Sequence, residues 1–275
     1  MKTIGVFDSG VGGLSVLRAL LAEIPEAGFV YVADSAYAPY GERSAQAVIE
    51  RARRIADHLV QHHAIDALVV ACNTATALAI DDLRHTHPHL PIVGVEPALK
   101  TAAAMSRSGH IGVLATRGTL ESKRFAQLRR RVEATAAQPV HFTCQPCDGL
   151  ADAIERGDAS TTRLLCQRYT QALQTQEETP RLIDTLVLGC THYPFAADVL
   201  GQMCGPGVAL VETGVPVARR TRGVLGLGMA SERHAGEPTV LQLLSTGSPA
   251  ALTLAAQRWL STRVVARGLD LEPGP

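Results

Sequence analysis

Two short stretches far apart in the chain follow one pattern. Val69-Val70-Ala71-Cys72-Asn73-Thr74 and Val187-Leu188-Gly189-Cys190-Thr191-His192 each carry an apolar run into a small residue, a cysteine and then polar residues. An apolar run without polar alternation reads as a strand buried on both faces, which is the mark of a parallel sheet covered by helices. In open sheets of that kind, ligands sit beyond the carboxyl ends of the strands. The two cysteines lie roughly 120 residues apart, about the length of one small domain. The expectation is two α/β halves, each ending a strand in a thiol, with the thiols facing each other across a shared cleft.

At 275 residues the chain is long enough for two modest domains, each with its own core. Acidic and basic residues balance at 26 each, and no block of like charge occurs. Nucleic acid and anionic membrane are therefore not expected as partners. The N-terminal Met1-Lys2-Thr3-Ile4-Gly5-Val6-Phe7-Asp8 meets an acid too soon for a signal-peptide core. No apolar run approaches membrane-spanning length, so a cytoplasmic location is expected. Cys72, Cys144, Cys147, Cys166, Cys190 and Cys204 then read as free thiols rather than a disulfide framework. Lys2, Lys100 and Lys123 are the only lysines, which argues against pyridoxal phosphate and its Schiff base.

The pass along the chain gives strand and helix in alternation. Strands are expected over 4–7, 29–33, 67–71 and 91–95, with helices over 14–21, over 45–63 and through Leu83. Residues 36–44, with Pro39-Tyr40-Gly41, read as a loop. A second set has strands at 110–115, 140–143 and 186–189 and helices at 125–132, 150–154 and 162–175. A strand at 240–244 and a helix at 249–260 form a tail too small to stand alone, expected to return to the first domain. The fold class is α/β, with two similar doubly wound parallel-sheet domains and the active site in the cleft between them. The first domain spans 1–96 plus 211–265 and carries Asp8 and Cys72. The second spans 97–210 and carries Glu155, Cys190 and His192.

Several motifs have a bland reading beside the chemical one. Gly10-Val11-Gly12-Gly13 after a strand suggests a dinucleotide turn, with Asp34 at the next strand end. Ser15 replaces the third glycine, however, and Asp8 would set a negative charge beside a pyrophosphate. A turn needing positive φ explains the glycines but not Asp8-Ser9. Cys144-Gln145-Pro146-Cys147 lacks the second pair that a zinc site requires and the helix N-terminus that a redox pair requires, so loop cysteines are the better reading. His85-Thr86-His87-Pro88-His89 reads as a solvated loop. Cys72 and Cys190 differ from all of these, because each ends an apolar strand, precedes polar residues and is read as beginning a helix. Helix N-termini favour thiolates and hold carboxylates. His192 lies two residues past Cys190, and Asp8 ends the first strand of the half that holds Cys72.

Inverting a stereocentre beside a carboxylate needs a base on one face of the carbon and an acid on the other. A thiolate and a thiol meet that need and exchange roles with the direction of reaction. An ordinary thiol pKa near 8.5, lowered by a helix end, suits both roles near neutral pH.

Phe7-Asp8-Ser9-Gly10-Val11-Gly12-Gly13-Leu14, Pro39-Tyr40-Gly41, Ala71-Cys72-Asn73-Thr74-Ala75 and Val95-Glu96-Pro97-Ala98 resemble the glutamate racemases of the aspartate/glutamate racemase superfamily. Gly112-Val113-Leu114-Ala115-Thr116 and Leu188-Gly189-Cys190-Thr191-His192-Tyr193-Pro194 are similar to that family too. The resemblance implies a cofactor-independent, metal-free amino-acid racemase that interconverts L- and D-glutamate and supplies D-glutamate for peptidoglycan. It implies that Cys190 takes the α-proton of L-glutamate and Cys72 that of D-glutamate. Asp8 would assist Cys72, and His192, with Glu155 behind it, would assist Cys190. Asp8, Ser9, Tyr40, Gly41, Asn73, Thr74, Thr116, Thr119, Thr191 and His192 would hold the substrate. A homodimer of open geometry is also implied. Glu212-Thr213-Gly214 stands where the family usually has Asp-Ser/Thr-Gly, and Thr76 where Ser is common. The rival readings are a sister racemase acting on aspartate or another acidic amino acid, and a nucleotide-binding α/β module built on the glycine turn.

Overall fold

The computed structural model describes residues 1–175, 183–228 and 240–271. The parts of the two expected domains at 176–182 and 229–239 lie outside the described residues. Two units emerge, Met1–Val95 with Gly214–Pro275, and Glu96–Thr213. The first begins with β1 (Thr3–Asp8), α1 (Leu14–Glu23), β2 (Gly28–Ala33), α2 (Ala45–His63), β3 (Ala67–Val70), α3 (Asn73–Thr86) and β4 (Ile92–Gly94). The second holds α4 (Leu99–Met105), β5 (His110–Ala115), α5 (Arg117–Leu120), α6 (Lys123–Thr135), β6 (His141–Pro146), α7 (Leu150–Glu155), α8 (Ala159–Thr175), β7 (Thr185–Gly189), α9 (Ala197–Cys204) and β8 (Ala209–Val211). The chain then returns to the first unit with α10 (Gly214–Val224), β9 (Leu241–Ser245), α11 (Pro249–Leu260) and β10 (Arg267–Gly268).

The first unit is a six-stranded sheet in the order β10-β9-β2-β1-β3-β4, with every pairing parallel. Because side chains alternate faces along a strand, Phe7, Val30, Val32, Leu68 and Val70 enter one apolar cluster with α2 and α3. The alternate residues Ile4, Val6, Tyr31 and Val69 are fully buried as well, which is why these strands carry no polar face. On α2, Val48, Ala52, Ile55, Ala56 and Leu59 recur at helical spacing and are buried. The Ser44 hydroxyl opens that helix by accepting from the Ala47 N–H at 3.2 Å, a cap worth about 1 kcal/mol.

The second unit is a four-stranded parallel sheet in the order β6-β5-β7-β8. Ile111, Val113 and Val187 pack under α4 and α6. Leu114, Leu186 and Leu188, of opposite parity, pack under α7, α8 and α9. Helices therefore cover both faces, which is the doubly wound arrangement.

The structure adds elements that the sequence pattern hid. β8 and α4 are short, and α10 opens on Gly214-Val215-Pro216 and then runs through Arg219, Arg220 and Arg222. Proline in the first turn is compatible with a helix start but disguises it. Residues 36–44 are not entirely loop, since Tyr40–Glu42 form one 3-10 turn. Cys144 is not a loop cysteine: β6 extends through Pro146, and Cys147 follows it, buried. His85 lies on α3, and His87 ends that helix with its Nε2 3.1 Å from Asp57. Among the described residues no helix is long and apolar enough to cross a membrane.

Candidate active site

In the first unit the chain passes from β1 to β2 on one side and then to β3 on the other, so strand order reverses at β1. Phe7 is paired with Val70, and the Ala71 N–H donates to the Phe7 carbonyl at 2.7 Å. The carboxyl ends of β1 and β3 therefore open side by side at the switch point, where open sheets bind ligands. Asp8 and Ser9 arrive there from β1, and Cys72, Asn73 and Thr74 from β3, all buried. Cys72 caps α3, its Sγ accepting from the Ala75 N–H at 3.4 Å and donating to Ser9 Oγ at 3.6 Å. Neither amide atom of the buried Asn73 has a hydrogen-bond partner among the described residues. A group left so costs about 1–3 kcal/mol until something meets it.

Gly13 serves close approach, and Gly10, Gly12 and Gly13 do not have positive φ. Asp8 Oδ2 accepts the N–H groups of Gly10 and Gly13 at 3.2 and 2.9 Å. Gly13 has φ −60°, and a Cβ there would lie 2.6 Å from Asp8 Cβ and 2.9 Å from the Tyr31 hydroxyl. The positive-φ reading of this turn is thus corrected, and the turn's amides are taken by a carboxylate of the protein itself. Tyr40 is buried in the same apolar cluster as Cys72, while the neighbouring Gly41 is exposed.

In the second unit the order reverses at β5, with β6 on one side and β7 on the other. Ala115 pairs with Gly189, so Thr116 and Cys190 leave adjacent strand ends. Thr116 caps α5 by accepting from the Thr119 N–H at 3.4 Å, and the two hydroxyls lie 2.9 Å apart. Cys190 Sγ lies 3.8 Å from His192 Nδ1, and His192 Nε2 lies 2.5 Å from Glu155 Oε2 at the end of α7. Burial alone would strip the His192 proton. The hydrogen bonds to Cys190 and Glu155, with the charge of Glu155, outweigh it and hold the pKa well above the usual 6.5. As the imidazolium, His192 donates through both nitrogens, one to the carboxylate and one toward the sulfur. Thr191 is buried beside it. Cys190 does not begin an α-helix, which corrects the reading from sequence. A turn follows it, then the 3-10 segment Tyr193–Ala196, and α9 starts only at Ala197.

Sequence reasoning missed Arg51 and Thr246, and saw Asp34 only as part of a dinucleotide lure. All three converge under Tyr40, whose hydroxyl donates to Asp34 Oδ2 at 2.5 Å. A signal for Arg51 was present. It occupies the buried stripe of α2 between Val48 and Ile55, where an unpaired arginine would be intolerable.

Residues 4–220 match the family model described as Asp/Glu/Hydantoin racemase. The glutamate racemase of Pseudomonas paraeruginosa is 48% identical over 236 residues, covering 83% of this chain and 85% of that protein. Among solved structures, glutamate racemase isoform RacE1 of Bacillus anthracis superposes with TM-score 0.82 at 28% identity, over 98% of each chain. Escherichia coli glutamate racemase, solved with L-glutamate and the activator UDP-MurNAc-Ala, superposes with TM-score 0.80 at 29% identity, again over 98% of each chain. A family model spanning most of the chain and a relative at nearly half identity agree: the chain belongs to the glutamate racemases of the Asp/Glu/Hydantoin racemase family.

Proposed function

We propose that the protein is a glutamate racemase that interconverts L- and D-glutamate by two thiols without a cofactor. The observation that carries this reading is the Cys190–His192–Glu155 line in one unit, matched by Cys72 beside Asp8 and Ser9 at the switch point of the other. In the L-to-D direction, Cys190 as thiolate removes the α-proton while His192 donates to its sulfur. Cys72 as thiol delivers a proton to the opposite face, with Asp8 assisting it. The reverse direction exchanges the roles. Ser9, Tyr40, Gly41, Asn73, Thr74, Thr116, Thr119 and Thr191 hold the substrate's carboxylates and amine, and the unmet amide of Asn73 supports its place in that set. Fixed hydroxyl and N–H dipoles then stabilise charge developing on the α-carboxylate. The reading extends to a cytoplasmic homodimer supplying D-glutamate for peptidoglycan.

The test is turnover of L-glutamate in D2O with no cofactor added, following optical rotation and α-deuterium. Inversion with one solvent deuteron in the product is expected. Cys72→Ser and Cys190→Ser should each abolish inversion with the fold intact, since a hydroxyl is a far weaker base than a thiolate. Inversion surviving in either variant overturns the two-thiol mechanism, and a preference for L-aspartate overturns the choice of substrate.

A further inference from the structure

The segment between β2 and α2 carries Tyr40 and Gly41, and its shape is set from beneath by one buried carboxylate. Asp34 follows β2 and is fully buried. Arg51 Nε donates to its Oδ2 at 3.0 Å and Nη2 to its Oδ1 at 2.7 Å. The Tyr40 hydroxyl donates to Oδ2 at 2.5 Å and Thr246 Oγ1 to Oδ1 at 2.8 Å. The Asp34 carbonyl accepts the Tyr37 N–H at 2.9 Å, and the Arg51 guanidinium lies 3.7 Å over the Tyr37 ring. Thr246 Oγ1 also accepts the Ala36 N–H at 3.2 Å. A strand end, a helix and the segment after β9 thus grip one short loop.

Two consequences follow for the site. The Tyr40 hydroxyl is committed to Asp34, and burial with the charge of Asp34 keeps it protonated. Its ring is a strut, leaving the backbone around the exposed Gly41 as what the turn offers a ligand. That turn packs against α3, the helix capped by Cys72, and Tyr40 shares an apolar cluster with the thiol. A buried ion pair is also an inefficient way to gain stability, since well-packed apolar residues often serve as well or better. Its use here points to geometry.

We propose that Arg51, acting through Asp34, is a positioning residue of racemisation, fixing the Tyr40–Gly41 turn where its backbone meets a carboxylate of the substrate beside Cys72. This rests on the glutamate racemase reading above. The bidentate fork and planar face of arginine are what lysine lacks. Misplacing binding groups by about 1 Å is enough to weaken a bound geometry severely.

The experiment is steady-state kinetics of Arg51→Lys in both directions, beside wild type and Leu59→Ala. Leu59 is a fully buried core residue about two turns further along the same helix, packed near Gly5 of β1. Wild type must first racemise glutamate, and its failure to do so would sink the reading rather than this proposal. Arg51→Lys is expected to raise KM for L- and D-glutamate together by about tenfold with kcat within about threefold, the pattern of lost uniform binding. Leu59→Ala is expected to lower Tm with KM unchanged. A folded Arg51→Lys with KM within twofold of wild type overturns the proposal, as does an equal rise of KM in Leu59→Ala. If Arg51→Lys does not fold, Tyr40→Phe decides, since it removes only the hydroxyl that Asp34 holds. A severalfold rise in KM supports the proposal, and an unchanged KM overturns it.

Discussion

Free histidine loses its proton near pH 6.5, whereas His192 keeps it well above that value because Glu155 and Cys190 both bind the charged ring. A histidine whose pKa folding raises contributes stability that is whole below about pH 6.5 and is lost as pH climbs through the folded-state value. Glu155→Gln removes the carboxylate while keeping a polar side chain of the same length. Its Tm is expected to fall most near pH 6, by an amount corresponding to about 2 kcal/mol for a charged hydrogen bond. The gap to wild type should close as pH rises into the alkaline range. Thermal melts of both proteins from pH 6 to pH 10 check it, and a gap that widens with pH would show that His192 is held neutral. The same substitution weakens the donor facing Cys190 and so should slow racemisation. A racemase has an equilibrium constant of one, so kcat/KM must fall equally for both enantiomers, and the defect of one thiol's partner is invisible in their ratio.

At the scale of elements, both candidate sites are built alike: a strand ends, the order of the sheet reverses, and the residue types change from apolar to polar. The Gly10 to Gly13 turn shows how tightly such an end is built. Gly13→Ala places a Cβ 2.6 Å from Asp8 Cβ, a main-chain-bound atom that cannot swing away. A loss of about 1–3 kcal/mol is expected from overpacking, together with lost activity because Asp8 must move. Gly223→Ala in α10 meets nothing within 4 Å and should be neutral or stabilising by up to about 1 kcal/mol. Chemical denaturation of the pair checks both signs. The ends of β1, β3, β5 and β7 were legible because a two-face-buried strand leaves an uninterrupted apolar run, and Asp8, Cys72, Thr116 and Cys190 mark where the four runs stop. The link from His192 to Glu155 came from family resemblance, and no spacing rule reaches across those 37 residues. Thr246 went unread because a carboxylate that gathers partners from three elements leaves no local pattern, whereas Arg51 carried a signal in its place on the buried stripe of α2. The helix at Gly214–Val224 went unread because its glycine, proline and arginines imitate a loop.

At the scale of the whole chain, the two units differ in how the sequence builds them. Every strand of the four-stranded sheet lies within Glu96–Thr213, and β5, its first strand, already pairs with both β6 and β7. The six-stranded sheet is discontinuous: β9 lies against β2 from Phe29↔Leu241 to Ala33↔Ser245, and α1 packs on α10 and α11. Without residues 214–275, β2 would expose a bare edge of hydrogen-bonding groups, α1 would lose both helices it leans on, and Asp34 would lose the Thr246 hydroxyl. The Arg222 guanidinium, which donates to the Glu23 carbonyl at the end of α1, would be lost too. A chain of residues 96–213 is therefore expected to fold alone and to unfold cooperatively in urea, with a slope on the order of 1–3 kcal/mol per molar for a domain of this size. Residues 1–95 alone should show no cooperative transition, and joining them to 214–275 through a flexible linker should restore one. Circular dichroism across a urea series reads all three. A cooperative transition in 1–95 alone would mean that β2, β1, β3 and β4 carry the fold and that the returning segment merely covers it.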